Sequence, residues 1–106
     1  MVPFFVFHCG LKSVTSNVEK MKFAFCFDRA FDKAHRGPIY ALDWHSDGHL
    51  LSAGSDATVK VWDIGTPEGH DDETTVLEHP SYVYAAKFYP NDSNLLASAG
   101  YDHVVR

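Results

Sequence analysis

Cysteine and clustered basic residues are both scarce in this sequence. Only two cysteines, Cys9 and Cys26, occur among the 106 residues, and their spacing indicates neither a zinc cluster nor a disulfide framework. Nine Lys and Arg residues stand against fourteen Asp and Glu residues, which leaves a net charge of −5 and no basic run. We therefore predict a reduced protein that binds no metal and no nucleic acid.

Long hydrophobic runs are also absent. The longest apolar stretch, at residues 1–7, carries Pro3, lacks a basic residue and is followed by His8. A signal peptide needs a charged start and a longer apolar run, and a membrane-spanning helix needs about 20 apolar residues. We therefore expect no membrane insertion and a cytoplasmic location.

The most informative stretch, residues 50–63, reads LLSAGSDATVKVWD. Val59 and Val61 fall on one face of an extended chain, whereas Lys60 and Trp62 fall on the other. A Gly-Ser-Asp turn separates this alternating segment from the preceding apolar run. The pattern predicts two strands joined as a hairpin.

This stretch recurs further along the chain. Residues 52–56, SAGSD, return as SAGYD at residues 98–102, 46 residues later. Upstream, His35 returns as His79 and Trp44 as Phe88, both 44 residues later. A period of about 40–45 residues that ends in Trp-Asp is typical of a WD-repeat propeller blade.

The chain therefore resembles the WD-repeat family, which implies an all-β fold and a fragment of a β-propeller. We predict one complete four-stranded antiparallel blade at residues 35–78 and a truncated second blade at residues 79–106. The predicted strands are 39–44, 50–53, 58–63 and 74–77, then 82–88, 95–98 and a last strand from Val104. A turn is predicted at 90–94 and a polar loop at 65–72.

Residues 1–34 lack the repeat but contain seven of the eight phenylalanines. Phe23, Phe25 and Phe27 alternate with other residues, which favours a strand at 22–27 that serves as the outer strand of a preceding blade. The spacing of Ser16 and Glu19 as a capping box leaves a helix from about Asn17 as the alternative.

The resemblance also implies a buried polar network in each blade. Its members here would be His35, Ser52, Asp56 and Trp62, with His79, Ser98 and Asp102 repeating three of the four. A serine, a histidine and an aspartate also suggest a catalytic triad, but this set occurs twice and its serine lies within an apolar strand. We therefore predict a structural network and no catalytic residue.

The second copy carries a closer resemblance. Residues 79–84, HPSYVY, followed by Ala86-Lys87-Phe88, are similar to a blade of the jouberin family of ciliary WD-repeat scaffolds. This resemblance implies a non-catalytic scaffold at the ciliary transition zone and basal body, with ciliary proteins as partners and no cofactor. The alternative is a WD-repeat subunit of another assembly, such as a ubiquitin-ligase substrate receptor or a chromatin complex.

One face of the predicted blades is a candidate partner surface. In WD-repeat propellers, the loops that enter the inner strands and the turns after the second strands cluster together. In this chain they carry Arg36, Tyr82, Tyr101 and His103. Arginine and tyrosine are over-represented among residues that dominate binding energies, so we predict that these four side chains contact a partner.

Overall fold

The computed structural model describes the backbone of residues 2–13, 21–64 and 75–106, and the side chains of residues 30–31, 33–64 and 75–106. Over these residues the chain forms eight strands and no helix. The strands are β1 Val2–Ser13, β2 Met21–His35, β3 Ile39–Trp44, β4 His49–Gly54, β5 Thr58–Asp63, β6 Thr75–Glu78, β7 Val83–Tyr89 and β8 Asp92–Gly100.

All strand pairs are antiparallel. The strands β3 to β6 form one four-stranded sheet in sequence order, and β1–β2 and β7–β8 each form a two-stranded sheet. The all-β prediction with one four-stranded antiparallel blade is confirmed. After β8 the chain pairs again only through a bridge between Ala99 and Val105 within the described residues.

The predicted strands agree with the structure except at the turn after β7 and at Val104, where the predicted last strand is only an isolated bridge at Val105. We predicted this turn at residues 90–94, but Tyr89 pairs with Asp92 and β8 begins at Asp92. The Asp92 carboxylate accepts the Asn94 N–H at 2.9 Å, which satisfies this backbone donor at the start of the strand. The predicted loop at 65–72 lies outside the described residues.

The N-terminal segment is a hairpin of β1 and β2. The strand predicted at 22–27 is confirmed as part of β2, so the helical alternative fails from Met21 onward. The capping box predicted at Ser16 and Glu19 lies outside the described residues. The assignment of this strand to a preceding blade stays a prediction.

The internal repeat extends to backbone detail. The Ala57 N–H donates to the Gly54 carbonyl at 3.3 Å, and the His103 N–H donates to the Gly100 carbonyl at 3.2 Å. Ala57 and His103, 46 residues apart, both adopt a φ of 64°. Non-glycine residues adopt this left-handed conformation only rarely, so the two turns share an uncommon geometry.

Two apolar clusters lie on opposite sides of the four-stranded sheet. On one side, the end of β2 contributes Phe31 and Ala34, which pack with Leu50, Trp62 and Ile64. On the other side, β7 packs onto β4 and β5, and this cluster contains Leu51, Ala53, Val59, Val61, Val83, Ala86 and Phe88. The four-stranded sheet is thus buried between β2 and the second blade.

Candidate functional site

The first polar network joins the end of β2 to β4 and β5. His35 and Ser52 are fully buried, and the His35 Nε2 lies 2.7 Å from the Ser52 Oγ. The Trp62 indole N–H donates to the same oxygen at 2.8 Å. Every polar group of this set thus has a partner in the apolar interior, where an unpaired group would cost about 1–3 kcal/mol.

Asp56 completes this network at its outer end. The His35 Nδ1 lies 2.9 Å from the Asp56 Oδ1, and the Thr58 hydroxyl donates to the same oxygen at 2.8 Å. Because a carboxylate only accepts, His35 donates through Nδ1–H and its Nε2 accepts the Ser52 hydroxyl proton. The network therefore sets one tautomer of the imidazole.

The environment of Asp56 perturbs its acidity in two opposing ways. Burial raises the pKa of the carboxyl, but the hydrogen bonds from His35 and Thr58 lower it by more, so that the net pKa lies below its ordinary value. A lowered pKa means that folding stabilises the ionised form of the carboxyl group relative to its protonated form.

This lowered pKa predicts a pH dependence of stability. The contribution of Asp56 is fully present above the unfolded pKa of about 3.9 and is lost as the pH falls through the folded pKa. We expect Asp56→Asn to lower the free energy of unfolding by about 1 kcal/mol at pH 7, with a smaller difference below pH ~4. Urea unfolding of the wild type and of Asp56→Asn between pH 3 and 7 measures this difference. A difference in the free energy of unfolding that grows as the pH falls would contradict the prediction.

A serine, a histidine and an aspartate in one chain of hydrogen bonds have the order of a hydrolase triad. Here, however, the Ser52 Oγ is completely buried and also accepts the Trp62 indole N–H. A nucleophilic serine needs access to the substrate and an adjacent oxyanion site. This arrangement holds three strands together and presents no reactive oxygen at the surface.

The second copy retains only part of this network. The His79 Nε2 lies 2.7 Å from the Ser98 Oγ, as in the first copy. The Asp102 carboxylate instead accepts the Arg106 guanidinium at 2.6 Å and the Val104 N–H at 3.4 Å. The inclusion of Asp102 in a network with His79 was therefore wrong.

Two substitutions between the copies explain why Asp102 bonds to Arg106 whereas Asp56 bonds to His35. Thr58, whose hydroxyl bonds to Asp56, is replaced by Val104, which has no hydroxyl. Arg106 stands at the position of Lys60, and its guanidinium reaches the carboxylate four residues earlier. The hydrogen bond from Arg106 is the main cause that lowers the pKa of Asp102, and burial raises it less.

Tyr82, Tyr101 and His103 form a continuous aromatic surface. The ring centroids of Tyr82 and Tyr101 are 6.0 Å apart, and those of Tyr101 and His103 are 6.1 Å apart. Tyr82 is 48 % exposed and Tyr101 is 60 % exposed. The structure therefore brings together three of the four side chains that we predicted to contact a partner.

Two further tyrosines extend this surface across both blades. The Tyr84 ring lies 6.5 Å from that of Tyr82, and the Tyr40 ring lies 5.3 Å from that of Tyr84. Tyr40 and Tyr84 stand 44 residues apart, at the interval of the repeat, but they were not among the four side chains that we predicted to contact a partner. We name the set of Tyr40, Tyr82, Tyr84, Tyr101 and His103 the tyrosine surface.

The structure places Arg36 elsewhere. Its backbone N–H donates to the Asp56 Oδ2 at 3.3 Å. Its side chain lines a separate cavity of about 330 Å³, together with Asp56, Thr58, Lys60, Val76 and Glu78. Arg36 thus shares a cavity with Asp56 and Glu78, whereas the contacts that define the tyrosine surface are between aromatic rings.

In the portions of the chain that the structure describes, no three His, Cys, Asp or Glu side chains cluster to hold a metal ion. Within those same portions, no helix is long and apolar enough to cross a membrane.

Comparison with known proteins defines the class of this chain. The family model for the WD domain, G-beta repeat, matches residues 26–63 and 65–106. Together with the four-stranded blade and its duplicated turns, this match shows that the chain belongs to the WD40 family. Members of this family generally act as protein-interaction scaffolds.

Individual relatives are similar over shorter stretches. Jouberin of Mus musculus is 40% identical over 74 residues, which cover 68% of this chain and 7% of jouberin. The ribosome biogenesis protein YTM1 of Scheffersomyces stipitis is 35% identical over 81 residues, which cover 67% of this chain and 17% of that protein. WD repeat-containing protein 1 of Mus musculus is 58% identical over 33 residues, which cover 30% of this chain and 5% of that protein. The chain thus spans less than a fifth of each of these relatives.

Proposed function

We propose that this chain is part of a jouberin-like, non-catalytic scaffold that binds other proteins through its tyrosine surface. The observation that carries the proposal is the continuous set of half-exposed rings across two blades. Tyrosine offers a large contact area with a polar end at low cost in side-chain entropy, which is why it is frequent among dominant binding residues. Such a set suits a protein partner better than a small substrate.

The proposed setting is cilium assembly at the transition zone and basal body, in a cytoplasmic protein whose partners are transition-zone components. Two observations support this setting. One is the HPSYVY stretch at residues 79–84, and the other is the 40% identity to jouberin over 74 residues. The alternative is a WD-repeat subunit of another assembly, including a ubiquitin-ligase receptor or a chromatin complex, and the 35% identity to a ribosome biogenesis protein favours such an assembly outside the cilium.

The test removes the aromatic contacts without disturbing the fold. We expect Tyr82→Ala with Tyr101→Ala, in the full-length protein, to reduce the recovery of transition-zone proteins by proximity labelling in ciliated cells. Both side chains are about half exposed, so the melting temperature should stay within about 2 °C of the wild type. Arg36→Glu, measured separately, tests whether the cavity at Asp56 also contacts the partner.

Tyr89→Ala is the matched control, because Tyr89 is also 47 % exposed and its ring is not part of the tyrosine surface. If the double variant recovers transition-zone proteins as well as the wild type does, the tyrosine surface is not the binding site. Recovery of ribosome precursors, chromatin subunits or ubiquitin-ligase subunits in place of transition-zone proteins would decide for the alternative.

A further inference from the structure

The turns that follow β3 and β7 meet where the two blades are in contact. His45, at the start of the first turn, is 8 % exposed, and its ring lies 5.6 Å from that of Phe88. The His45 Nε2 lies 3.1 Å from the Pro90 carbonyl oxygen, and the Asp47 carboxylate accepts the Ser93 hydroxyl. Two side chains of the first turn thus bond to the second blade. We name the set of His45, Asp47, Pro90 and Ser93 the histidine clasp.

The bond to Pro90 fixes the tautomer of neutral His45. A carbonyl oxygen only accepts, so the Nε2 of His45 carries a hydrogen and the Nδ1 of the neutral ring carries a lone pair. This Nδ1 accepts the Asp47 N–H at 3.2 Å. It also lies 2.9 Å from the Asp47 Oδ1, and the neutral ring has no hydrogen to place between these two atoms. Neutral His45 therefore turns a lone pair toward a carboxylate oxygen.

A proton on the His45 Nδ1 reverses this contact. The imidazolium donates from both nitrogens, to the Asp47 Oδ1 and to the Pro90 carbonyl, and both bonds are then charge-assisted and stronger than neutral ones. The Asp47 N–H loses its acceptor in exchange, which is a single neutral bond of 3.2 Å. Protonation thus replaces one neutral hydrogen bond by an ion pair, and it strengthens the bond that crosses to the second blade.

The Asp47 carboxylate also bonds to a second histidine, His49. The hydrogen bond from Ser93 is the main cause that holds the pKa of Asp47 well below its ordinary value, burial raises it less, and bonds from His49 and His45 lower it further. The carboxyl is therefore ionised wherever a histidine titrates. His49 donates from its Nδ1 to the Asp47 Oδ1 at 2.9 Å, since a carboxylate only accepts. This bond already exists in the neutral ring, so of the two histidines only His45 changes its bonding when it takes up a proton.

Other charged groups lie on the neighbouring strands. The remaining charged side chains at this end of β3, β5, β7 and β8 are Asp43, Asp63, Lys87 and Asp92. The Asp43 carboxylate and the Lys87 Nζ contact each other at 3.6 Å. In the described part of the chain, the polar contacts of His45 are with Asp47 and Pro90. The four other charges therefore act on His45 only through space.

The repeat itself does not require the histidine clasp. The residues that stand 44 positions after His45 and Asp47 are Tyr89 and Asn91. There the Asn91 Nδ2 donates to the Tyr89 hydroxyl at 3.4 Å. Histidine is the side chain whose charge ordinarily changes between about pH 5 and pH 8, and it is absent from both of these positions. The clasp is therefore an addition to the first blade and not a general feature of the two copies.

We propose that the histidine clasp is a pH-sensitive contact between the two blades, which tightens when His45 takes up a proton on Nδ1 and loosens when that proton leaves. Its contribution to the contact is present at acidic pH and is lost as the pH rises, which is the opposite sign to the contribution of Asp56. Histidine ordinarily changes its charge between about pH 5 and pH 8, whereas the effect of Asp56 lies below about pH 4. The two effects therefore separate on the pH scale.

Hydrogen–deuterium exchange of the full-length protein, corrected for the intrinsic effect of pH on exchange, measures how often the clasp opens. In the wild type we expect the protection of residues 45–49 and 89–93 to be about fivefold higher at about pH 5.5 than at about pH 8, because a hydrogen bond to a charged group contributes more than a neutral one. His45→Gln should lose this difference, since its amide can donate to the Pro90 carbonyl but takes up no proton.

His49→Gln is the matched control, because His49 bonds to the same carboxylate through a hydrogen that the neutral ring already carries. This variant should keep the difference between the two pH values. If circular dichroism shows that His45→Gln does not fold, Asp47→Asn takes its place and should also lose the difference, since it removes the carboxylate that pairs with the imidazolium. Equal protection at both pH values in the wild type, protection that falls in acid, or a difference that His45→Gln keeps or His49→Gln loses would overturn the proposal.

Discussion

Replacement of Trp62 by alanine is expected to lower the free energy of unfolding by about 3–5 kcal/mol, as large aromatic truncations in cores do. The side chain is 1 % exposed and its ring lies 4.7 Å from that of Phe31. The change would open a cavity beneath β2 and would also remove the indole N–H that donates to the Ser52 Oγ. Urea unfolding of the full-length protein at pH 7 gives the difference directly.

Two further variants separate packing from hydrogen bonding. Trp62→Phe retains most of the apolar volume and removes the N–H donor, so we expect a smaller loss, of about 1–3 kcal/mol. Trp44→Ala, measured at low protein concentration, should change the stability by no more than about 0.5 kcal/mol, because Trp44 is 53 % exposed. Equal losses for Trp62→Ala and Trp44→Ala would refute the assignment of Trp62 to the core.

Gly54→Ala is expected to cost about 1–3 kcal/mol, although it adds a single methyl group. A Cβ at this position would overlap the carbonyl oxygen of Pro38, to which the Ser55 N–H donates at 3.0 Å. Because backbone atoms surround the site, the strand itself must shift to make room. Chemical unfolding measures the loss, and the repeat predicts the same behaviour for Gly100→Ala against the Tyr82 carbonyl.

Gly37→Ala is the control for this prediction. A Cβ there would overlap only the Ser55 hydroxyl oxygen, which can rotate away about its side-chain bond. We therefore expect Gly37→Ala to be tolerated and Gly54→Ala not to be. If Gly37→Ala were less stable than Gly54→Ala, the close approach of β3 to Gly54 would not be the reason that position 54 requires glycine.

The two copies of the repeat share one hydrogen bond of the polar network and differ in another. Both copies retain the bond between histidine and serine, at 2.7 Å in each case. The carboxylate bond to histidine is present only where Thr58 orients Asp56, and is replaced by an ion pair where Arg106 approaches Asp102. An exposed ion pair contributes at most about 1 kcal/mol, so the second turn depends less on its carboxylate.

Much of the fold could be predicted from the sequence because its signals are local. The alternation of Val59 and Val61 with Lys60 and Trp62 predicted β5, which spans Thr58–Asp63. Recurrence at 44 and 46 residues predicted a second set of strands, because equal spacing of turn and apolar residues gives equal geometry. The start of β8 was missed because the pairing of Tyr89 with Asp92 depends on backbone contacts that residue types do not reveal.

The sequence by itself determined which residues belong to the repeat, since the period and the turn chemistry fix their positions along each strand. Only the tertiary structure decided their partners and their exposure. It placed Arg36 in a cavity with Asp56, and it joined Tyr40 to Tyr84 across two blades. It also left Trp44 open while the equivalent Phe88 is buried. The reason is that a side chain at one repeat position is covered or exposed according to which strands pack against its blade, and that packing is set by the assembled sheets.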